Sequence, residues 1–159
     1  MAHSLKVTPL GDRELRMTRH FDGPAPLVFD CWTQPELVRR WLTGPEGWSF
    51  QVCDIDLRVG GAYRYVWCHT DGRVMGMGGV FREIVPSQRL VSTELFDEDW
   101  TGGETLCTTV FSEKAGQTTV VLTVLYSSKQ ARDGAMQSGM EGGMAVGFDR
   151  LDRVLALLI

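Results

Sequence analysis

Three aromatic side chains alternate along one predicted strand, at Tyr63, Tyr65 and Trp67. Alternate residues of a strand point to the same side, so these rings share one face of the sheet. Ring faces can hold an apolar molecule, and the tyrosine hydroxyls can orient it by hydrogen bonding. The pattern therefore predicts either the floor of a ligand pocket or a plain aromatic core.

Methionines and a phenylalanine recur every four residues near the C-terminus. At this spacing Met136, Met140, Met144 and Phe148 share one face of a helix. Methionine is unbranched and polarisable, so such a face adapts to several ligand shapes. We predict that this face forms the roof of the pocket, with ordinary core packing as the alternative.

Two further tryptophans are predicted to bind the same ligand. Trp41 lies on the apolar stripe of a short helix, and Trp100 stands in an acidic loop over residues 97–103. This loop is longer than the other turns, and long loops often gate a site or contact a partner. A tryptophan simply exposed on the surface is the alternative for Trp100.

Glycines near these side chains indicate open space. If residues 71–72 form a two-residue turn, Gly76 and Gly78 each lie opposite an aromatic ring of the neighbouring strand. A ring opposite a glycine has no side chain to pack against, which favours a pocket. Glycines also interrupt the predicted C-terminal helix, at positions 139, 142, 143 and 147. They allow close packing on the sheet, a local kink, or room for a ligand.

The chain contains no recognisable catalytic constellation. A nucleophile with its base, a carboxylate pair or histidines at metal-binding spacing would indicate one, but the three histidines lie far apart. Glu94 and Arg64 lie inside predicted strands. The simpler interpretation points both to solvent, because a buried charge needs a partner, and they would pair if both pointed inward. We predict no catalytic residue, no metal site and no cofactor, which favours a binding protein while leaving an enzyme open.

Composition and charge exclude several classes of function. The chain has 159 residues, 43% of them hydrophobic, as expected for one globular domain over residues 1–159. Its net charge of −4, with basic residues scattered singly, provides no surface for nucleic acid. No apolar stretch is long enough to span a membrane, and no export signal is evident. We therefore predict a cytoplasmic protein with no nucleic-acid or membrane partner.

The four cysteines are widely spaced and form no Cys-x-x-Cys pair. We expect reduced thiols in the core, as is usual in the cytoplasm. A disulfide between Cys53 and Cys68 on adjacent strands is the alternative.

Strands joined by short turns dominate the middle of the chain. Alternating apolar residues predict a first strand over 14–21 and six more between residues 48 and 126. Two short helices lie between the first and second strands, and the second starts at a capping box over 33–36. One long amphipathic helix over 128–157 follows the last strand.

These elements define an α+β fold, because no crossover helices separate the later strands. We predict a curved antiparallel sheet of six or seven strands wrapped around a long C-terminal helix, with two short helices after the first strand. A twisted sheet that curls around an amphipathic helix encloses space for a ligand cavity.

Ordered sequence blocks along most of the chain match one protein family: RHFDGP at 19–24, VFDCWT at 28–33, RW at 40–41, GPEG at 44–47, DLRVGG at 56–61, GVFREIVP at 79–86, RLV at 89–91, SGMEGG at 138–143 and DRL at 149–151. In these blocks the chain resembles the activator of heat-shock-protein-90 ATPase homologues. That family belongs to the START-like (SRPBCC, helix-grip) superfamily, with the polyketide cyclases and the birch-pollen allergen. The chain departs from the family in two places. Family members often carry paired tryptophans before the glycine–proline, where this chain has Trp41-Leu42-Thr43, and a tryptophan near the helix centre, where it has Met144. Both departures change the shape of the expected cavity.

The resemblance implies the helix-grip fold and three candidate functions. The first, which the aromatic and methionine faces favour, is to hold a small apolar or aromatic molecule between the sheet and the C-terminal helix. The second, implied by the family name, is an interaction protein that regulates a chaperone ATPase. The third is a cyclase-type or hydrolase-type enzyme of the superfamily. The oligomeric state stays open, a homodimer included.

Overall fold

Eight antiparallel strands form one sheet in residues 3–159, which the structure, a computed structural model, describes. The strands are β1 Lys6–Leu10, β2 Glu14–Asp22, β3 Trp48–Ile55, β4 Ala62–His69, β5 Val74–Val85, β6 Arg89–Phe96, β7 Thr105–Lys114 and β8 Gln117–Leu125. Their order across the sheet is β1-β2-β8-β7-β6-β5-β4-β3. The helices are α1 Ala25–Thr33, α2 Pro35–Trp41, α3 Lys129–Gln137 and α4 Met140–Leu158.

The predicted α+β class, the antiparallel sheet and the long C-terminal helix are confirmed, but the sheet has eight strands rather than six or seven. The additional strand is β1, which pairs with β2 and places Pro9 opposite Leu15. Proline cannot donate to a ladder and is tolerated at the edge of a sheet. The edge position of β1 explains why a proline-containing segment is a strand.

The two short helices meet at Gln34, whose extended backbone precedes Pro35. Proline disfavours helical backbone in the residue before it, so one helix ends and the next begins there. The predicted capping box is wrong. Thr33 donates its hydroxyl hydrogen bond backward to the carbonyl of Phe29 (2.9 Å), and Gln34 occupies the N-cap without a side-chain bond.

The C-terminal segment forms two helices instead of the one predicted. Ser128 caps α3 by accepting a hydrogen bond from the backbone N–H of Ala131 (3.0 Å). The helix ends near Ser138, and Gly139 has a left-handed backbone (φ 84°) before α4 begins. Glycine adopts this conformation without the steric penalty of a side chain. The break changes the direction of the apolar stripe that the sequence places on a single helix.

An ion-pair cluster fixes α4 against the sheet. Arg19 lies on the inner side of β2 with only 2% of its surface exposed. Its Nη2 atom donates hydrogen bonds to Asp149 (3.0 Å) and Asp152 (2.6 Å), which are three residues apart on α4. The guanidinium also lies over the ring of Phe21, 4.8 Å from its centroid. The pairing sets the position of the helix along β2.

Aromatic rings pack α4 onto the two short helices. The ring of Phe148 has centroid distances of 5.6 Å to Phe21, 5.8 Å to Trp32 and 5.9 Å to Trp41. Edge-to-face and tilted contacts at this distance add to the stabilisation from burial. Three of these rings, those of Trp32, Trp41 and Phe148, also border the space under the inner face of the sheet.

All four cysteines are free thiols. In the ladder between β3 and β4, Cys53 lies opposite Tyr65 and Cys68 lies opposite Ser49, so the alternative disulfide is wrong. None of the helices in residues 3–159 has both the length and the apolar character needed to cross a bilayer.

Candidate functional site

A cavity of about 380 Å³ lies between the inner face of the sheet and the helices α2 and α4. This volume falls in the range of small-molecule sites in proteins. The structure brings eight of the nine residues predicted from the sequence into its lining: Trp41, Tyr63, Tyr65, Trp67, Trp100, Met140, Met144 and Phe148.

Met136 does not belong to this set. Its side chain is 42% exposed, and it borders a shallow surface groove together with Leu5 and Gly142. The sequence pattern placed Met136 and Met140 on one continuous helix, but the left-handed Gly139 separates them. The prediction that Met136 faces the cavity is therefore wrong.

The aromatic residues of β4 form one wall of the cavity. Neighbouring ring centroids lie 5.2 Å apart for Tyr63 and Tyr65 and 5.8 Å apart for Tyr65 and Trp67. The Tyr63 hydroxyl donates to the carbonyl of Thr93 (2.7 Å), and the Trp67 indole donates to that of Leu42 (2.8 Å). Because these bonds fix two of the three rings, the wall is held in place without a ligand.

The hydroxyl of Tyr65 differs from these two. It forms no hydrogen bond with any group in residues 3–159, although the residue is buried and lines the cavity. Burial raises the pKa of Tyr65 above its usual range, with smaller effects from Cys53 and Glu94, so the group stays protonated at neutral pH. It is available to donate or accept a hydrogen bond inside the cavity.

The register of the β4–β5 hairpin differs from the predicted one. The backbone N–H of His69 bonds the carbonyl of Arg73, so the turn is longer than two residues. Gly76 and Gly78 consequently lie opposite Val66 and Arg64, on the outer side of the sheet. They make no room in the cavity.

Gly76 instead leaves space for an ion pair on the outer face. A side-chain carbon at this position would collide with the Asp97 carboxylate, which pairs with Arg64 at 2.5 Å. Arg64 thus points outward, as predicted, and its partner Asp97 is the first residue of the acidic loop over residues 97–103.

The two glycines of α4 that line the cavity have different roles. A side-chain carbon built at Gly143 would have no atom within 4 Å, so this glycine borders open space. One built at Gly147 would lie 3.9 Å from the carbonyl oxygen of Trp41, at the packing contact of α4 with α2. Of the three alternatives from the sequence, room for a ligand fits Gly143, whereas Gly147 allows close packing on α2 rather than on the sheet.

Glu94 is the functional candidate that the sequence interpretation placed wrongly. It lies on the inner face of β6 and lines the cavity, whereas the simpler reading pointed it to solvent. The thiol of Cys107 lies 3.9 Å from its Oε2 atom and is its hydrogen-bond partner among residues 3–159. Burial raises the pKa of the Glu94 carboxyl to about 7, and the contact with Cys107 opposes this only weakly.

The alternation of residues along β6 could have indicated that Glu94 faces inward. Leu90, Ser92, Glu94 and Phe96 alternate along the strand and all line the cavity. The apolar Leu90 and Phe96 mark the inner face, and Glu94 lies on the same face because an even number of positions separates it from each of them. The expectation that a buried charge must be paired led to the outward assignment.

Trp100 and Arg150 lie at the rim of the cavity. Trp100 is 47% exposed and packs on Phe96 with ring centroids 5.1 Å apart, so it is at the opening toward solvent. Arg150 donates through Nη1 to Thr43 (2.6 Å) and to the carbonyls of Trp41 and Gly44. These bonds hold the α2–β3 connection against α4. Among the lining residues, Glu94 and Arg150 are the only charged side chains.

The observed arrangement, a curved antiparallel sheet around a C-terminal helix with a cavity between them, defines a START-like protein of the helix-grip type. The sequence comparison is more specific. The chain belongs to the Activator of Hsp90 ATPase homolog 1-like protein family, whose model matches residues 22–156. This confirms the resemblance seen in the sequence blocks.

Solved structures share the fold of this chain. A crystal structure of a protein from Rhodobacter sphaeroides is 32% identical, with a TM-score of 0.92, over 97% of this chain and 99% of that chain. A protein from Nitrosomonas europaea is 22% identical, with a TM-score of 0.81, over 94% of this chain and 97% of that chain. An AHSA1-like protein from Aeromonas hydrophila is 19% identical, with a TM-score of 0.72, over 89% of this chain and 93% of that chain. No curated protein matches the chain in sequence.

Proposed function

We propose that this protein binds a small apolar or aromatic molecule in the cavity between the sheet and α4. The observation that carries the proposal is the cavity of about 380 Å³, whose walls are mostly aromatic rings and methionines. Moving apolar surface from water into such surroundings lowers the free energy, which favours binding.

Two features of the wall support a binding site over an accidental packing gap. The polar ends of Tyr63 and Trp67 are bonded to backbone carbonyls, so the rings cannot turn inward without breaking those bonds. A wall fixed before binding loses little conformational entropy when a ligand enters. The methionines on the opposite side, Met140 and Met144, adjust to the shape of the ligand.

Filling the cavity from α4 tests this proposal. Because Gly143 borders open space, phenylalanine at this position is expected to occupy the cavity, abolish binding of a neutral apolar dye and leave the fold intact. Replacing a helical glycine also favours the helix, by roughly 0.5 kcal/mol. The measurement is the fluorescence of N-phenyl-1-naphthylamine titrated with the parent protein and with Gly143→Phe.

Gly142→Phe is the matched control. Gly142 is the adjacent helical glycine, also with no atom within 4 Å, but it borders the surface groove instead of the cavity. We expect this variant to bind the dye like the parent protein. Equal dye binding by the two variants, with both folded by circular dichroism, would contradict a site inside the cavity.

A further inference from the structure

We infer that the cavity selects molecules with a basic nitrogen, held as a protonated amine against the carboxylate of Glu94 while their apolar part fills the remaining space. This inference depends on the proposed function, because it specifies the chemical class of the ligand. It concerns a half-buried acidic group that faces the cavity.

The first support is the lack of a cationic partner for Glu94. Its carboxylate forms no salt bridge within residues 3–159, and its contact with the Cys107 thiol is a weak one at 3.9 Å. Arg64 is paired with Asp97 on the outer face, and the bonded Nη1 group of Arg150 is directed at the α2–β3 connection. A buried carboxylate is stable only with a compensating charge or hydrogen bonds, and a bound ammonium group supplies both.

The second support is the aromatic lining of the cavity that Glu94 shares. Tyr63 and Tyr126 lie close enough that, after burial, the charge of Glu94 is the next contribution raising the pKa of each hydroxyl. Both residues line the cavity, as does Tyr65. Ring faces attract cations, and the attraction is stronger where water is excluded. A protonated amine in this cavity therefore has an aromatic lining as well as the Glu94 carboxylate to stabilise it.

The same geometry disfavours other ligand classes. A ligand carboxylate would meet the like charge of ionised Glu94 in a site of low polarity. A pure hydrocarbon would leave the Glu94 carboxylate without a partner. The amine satisfies the one acidic group in the lining and leaves the apolar walls for the rest of the molecule.

Binding of an amine also becomes pH-dependent through Glu94. The other titratable groups facing it are the thiol of Cys107 and the hydroxyls of Tyr63, Tyr65 and Tyr126, whose pKa values burial raises, so they stay protonated between pH 5 and pH 8. Arg150 is the other charged residue in the lining. Glu94, with its pKa raised to about 7 by burial, is mostly protonated at pH 5 and mostly ionised at pH 8. Affinity for an amine should therefore rise about 100-fold from pH 5 to pH 8.

Three ligands with the same ring system test the inference: 2-naphthylmethylamine, 2-methylnaphthalene and 2-naphthoate. Each is titrated at pH 8 into the parent protein, into Glu94→Gln and into Glu104→Gln, which changes an exposed glutamate next to β7. We expect the amine to bind the parent protein and Glu104→Gln at least about tenfold more tightly than 2-methylnaphthalene. Glu94→Gln should lose this preference and still bind 2-methylnaphthalene.

The outcomes separate the two proposals. If 2-methylnaphthalene binds but the amine binds no more tightly, or if the preference survives in Glu94→Gln, the inference about the amine is overturned and the proposed function stands. Tighter binding of 2-naphthoate than of the amine also overturns it. If none of the three ligands binds the parent protein, both proposals fail. The pH profile of amine binding to the parent protein provides a second reading that needs no variant, and a flat profile would count against Glu94.

Discussion

Replacing Glu94 with glutamine is expected to remove about 3 kcal/mol of pH-dependent destabilisation from the protein. The carboxyl has a pKa of about 7 in the folded state, against an ordinary value of 4.5. Each pKa unit corresponds to about 1.4 kcal/mol, so the difference amounts to about 3 kcal/mol. Burial disfavours the charged form, and glutamine has no charged form.

The sign follows from the direction of the shift. Because the folded-state pKa is raised, the contribution of Glu94 to stability is fully present below pH 4.5 and is lost as the pH rises through 7. The unfolding free energy of Glu94→Gln, relative to the parent, should therefore increase by about 3 kcal/mol between pH 4 and pH 8. Urea unfolding of both proteins at several pH values measures this difference.

Glu104→Gln is again the control, since its side chain is exposed, and its stability should follow that of the parent protein at every pH. Parallel pH curves for Glu94→Gln and the parent would show that Glu94 is not held in apolar surroundings. That result would remove the evidence that the Glu94 carboxyl lies inside the apolar cavity.

Removing both carboxylates that bind Arg19 is expected to destabilise the protein by about 3 kcal/mol, because a buried guanidinium is then left without a counter-charge. The Asp149→Asn, Asp152→Asn double variant makes this change on the surface of α4 while keeping the side-chain shapes. Chemical unfolding at neutral pH measures the loss. Adding Arg19→Met should recover most of it, since an apolar residue of similar length needs no partner.

An exposed ion pair provides the comparison. Arg64 and Asp97 pair on the outer face of the sheet, where both side chains are accessible to water. Asp97→Asn should cost less than about 1 kcal/mol, as is usual for surface pairs. A similar loss for Asp97→Asn and for the double variant would contradict the assignment of Arg19 as the buried anchor of α4.

Much of the sheet could be predicted from the sequence because its inner and outer residues alternate. Six strands were predicted between residues 48 and 126, where β3 to β8 lie, and the aromatic residues of β4 were predicted to share one face. This information is local: a period of two and a turn residue are visible without knowing the partner strand.

The errors concern features that depend on the partner or on backbone conformation. The strand β1 contains Pro9 and was recognised only through its pairing with β2. The period of α4 suggested a helix continuing through Gly139, because a sequence does not display the backbone angle that breaks it. Glu94 has the parity of the inner face, but its burial depends on a cavity that only the assembled sheet and helices create. The chaperone partner and the homodimer stay predictions.

Methionine methyl signals provide the most direct test of a ligand site inside the cavity. Five methionines line it, and these are Met17, Met75, Met77, Met140 and Met144. Met136 lies outside it on α3 and serves as an internal reference. In protein labelled with ¹³C at the methionine methyl groups, titration with 2-methylnaphthalene should shift the signals of the five lining residues and leave that of Met136 in place. Unchanged signals for those five residues, or a shift of Met136 as large as theirs, would contradict the proposed function.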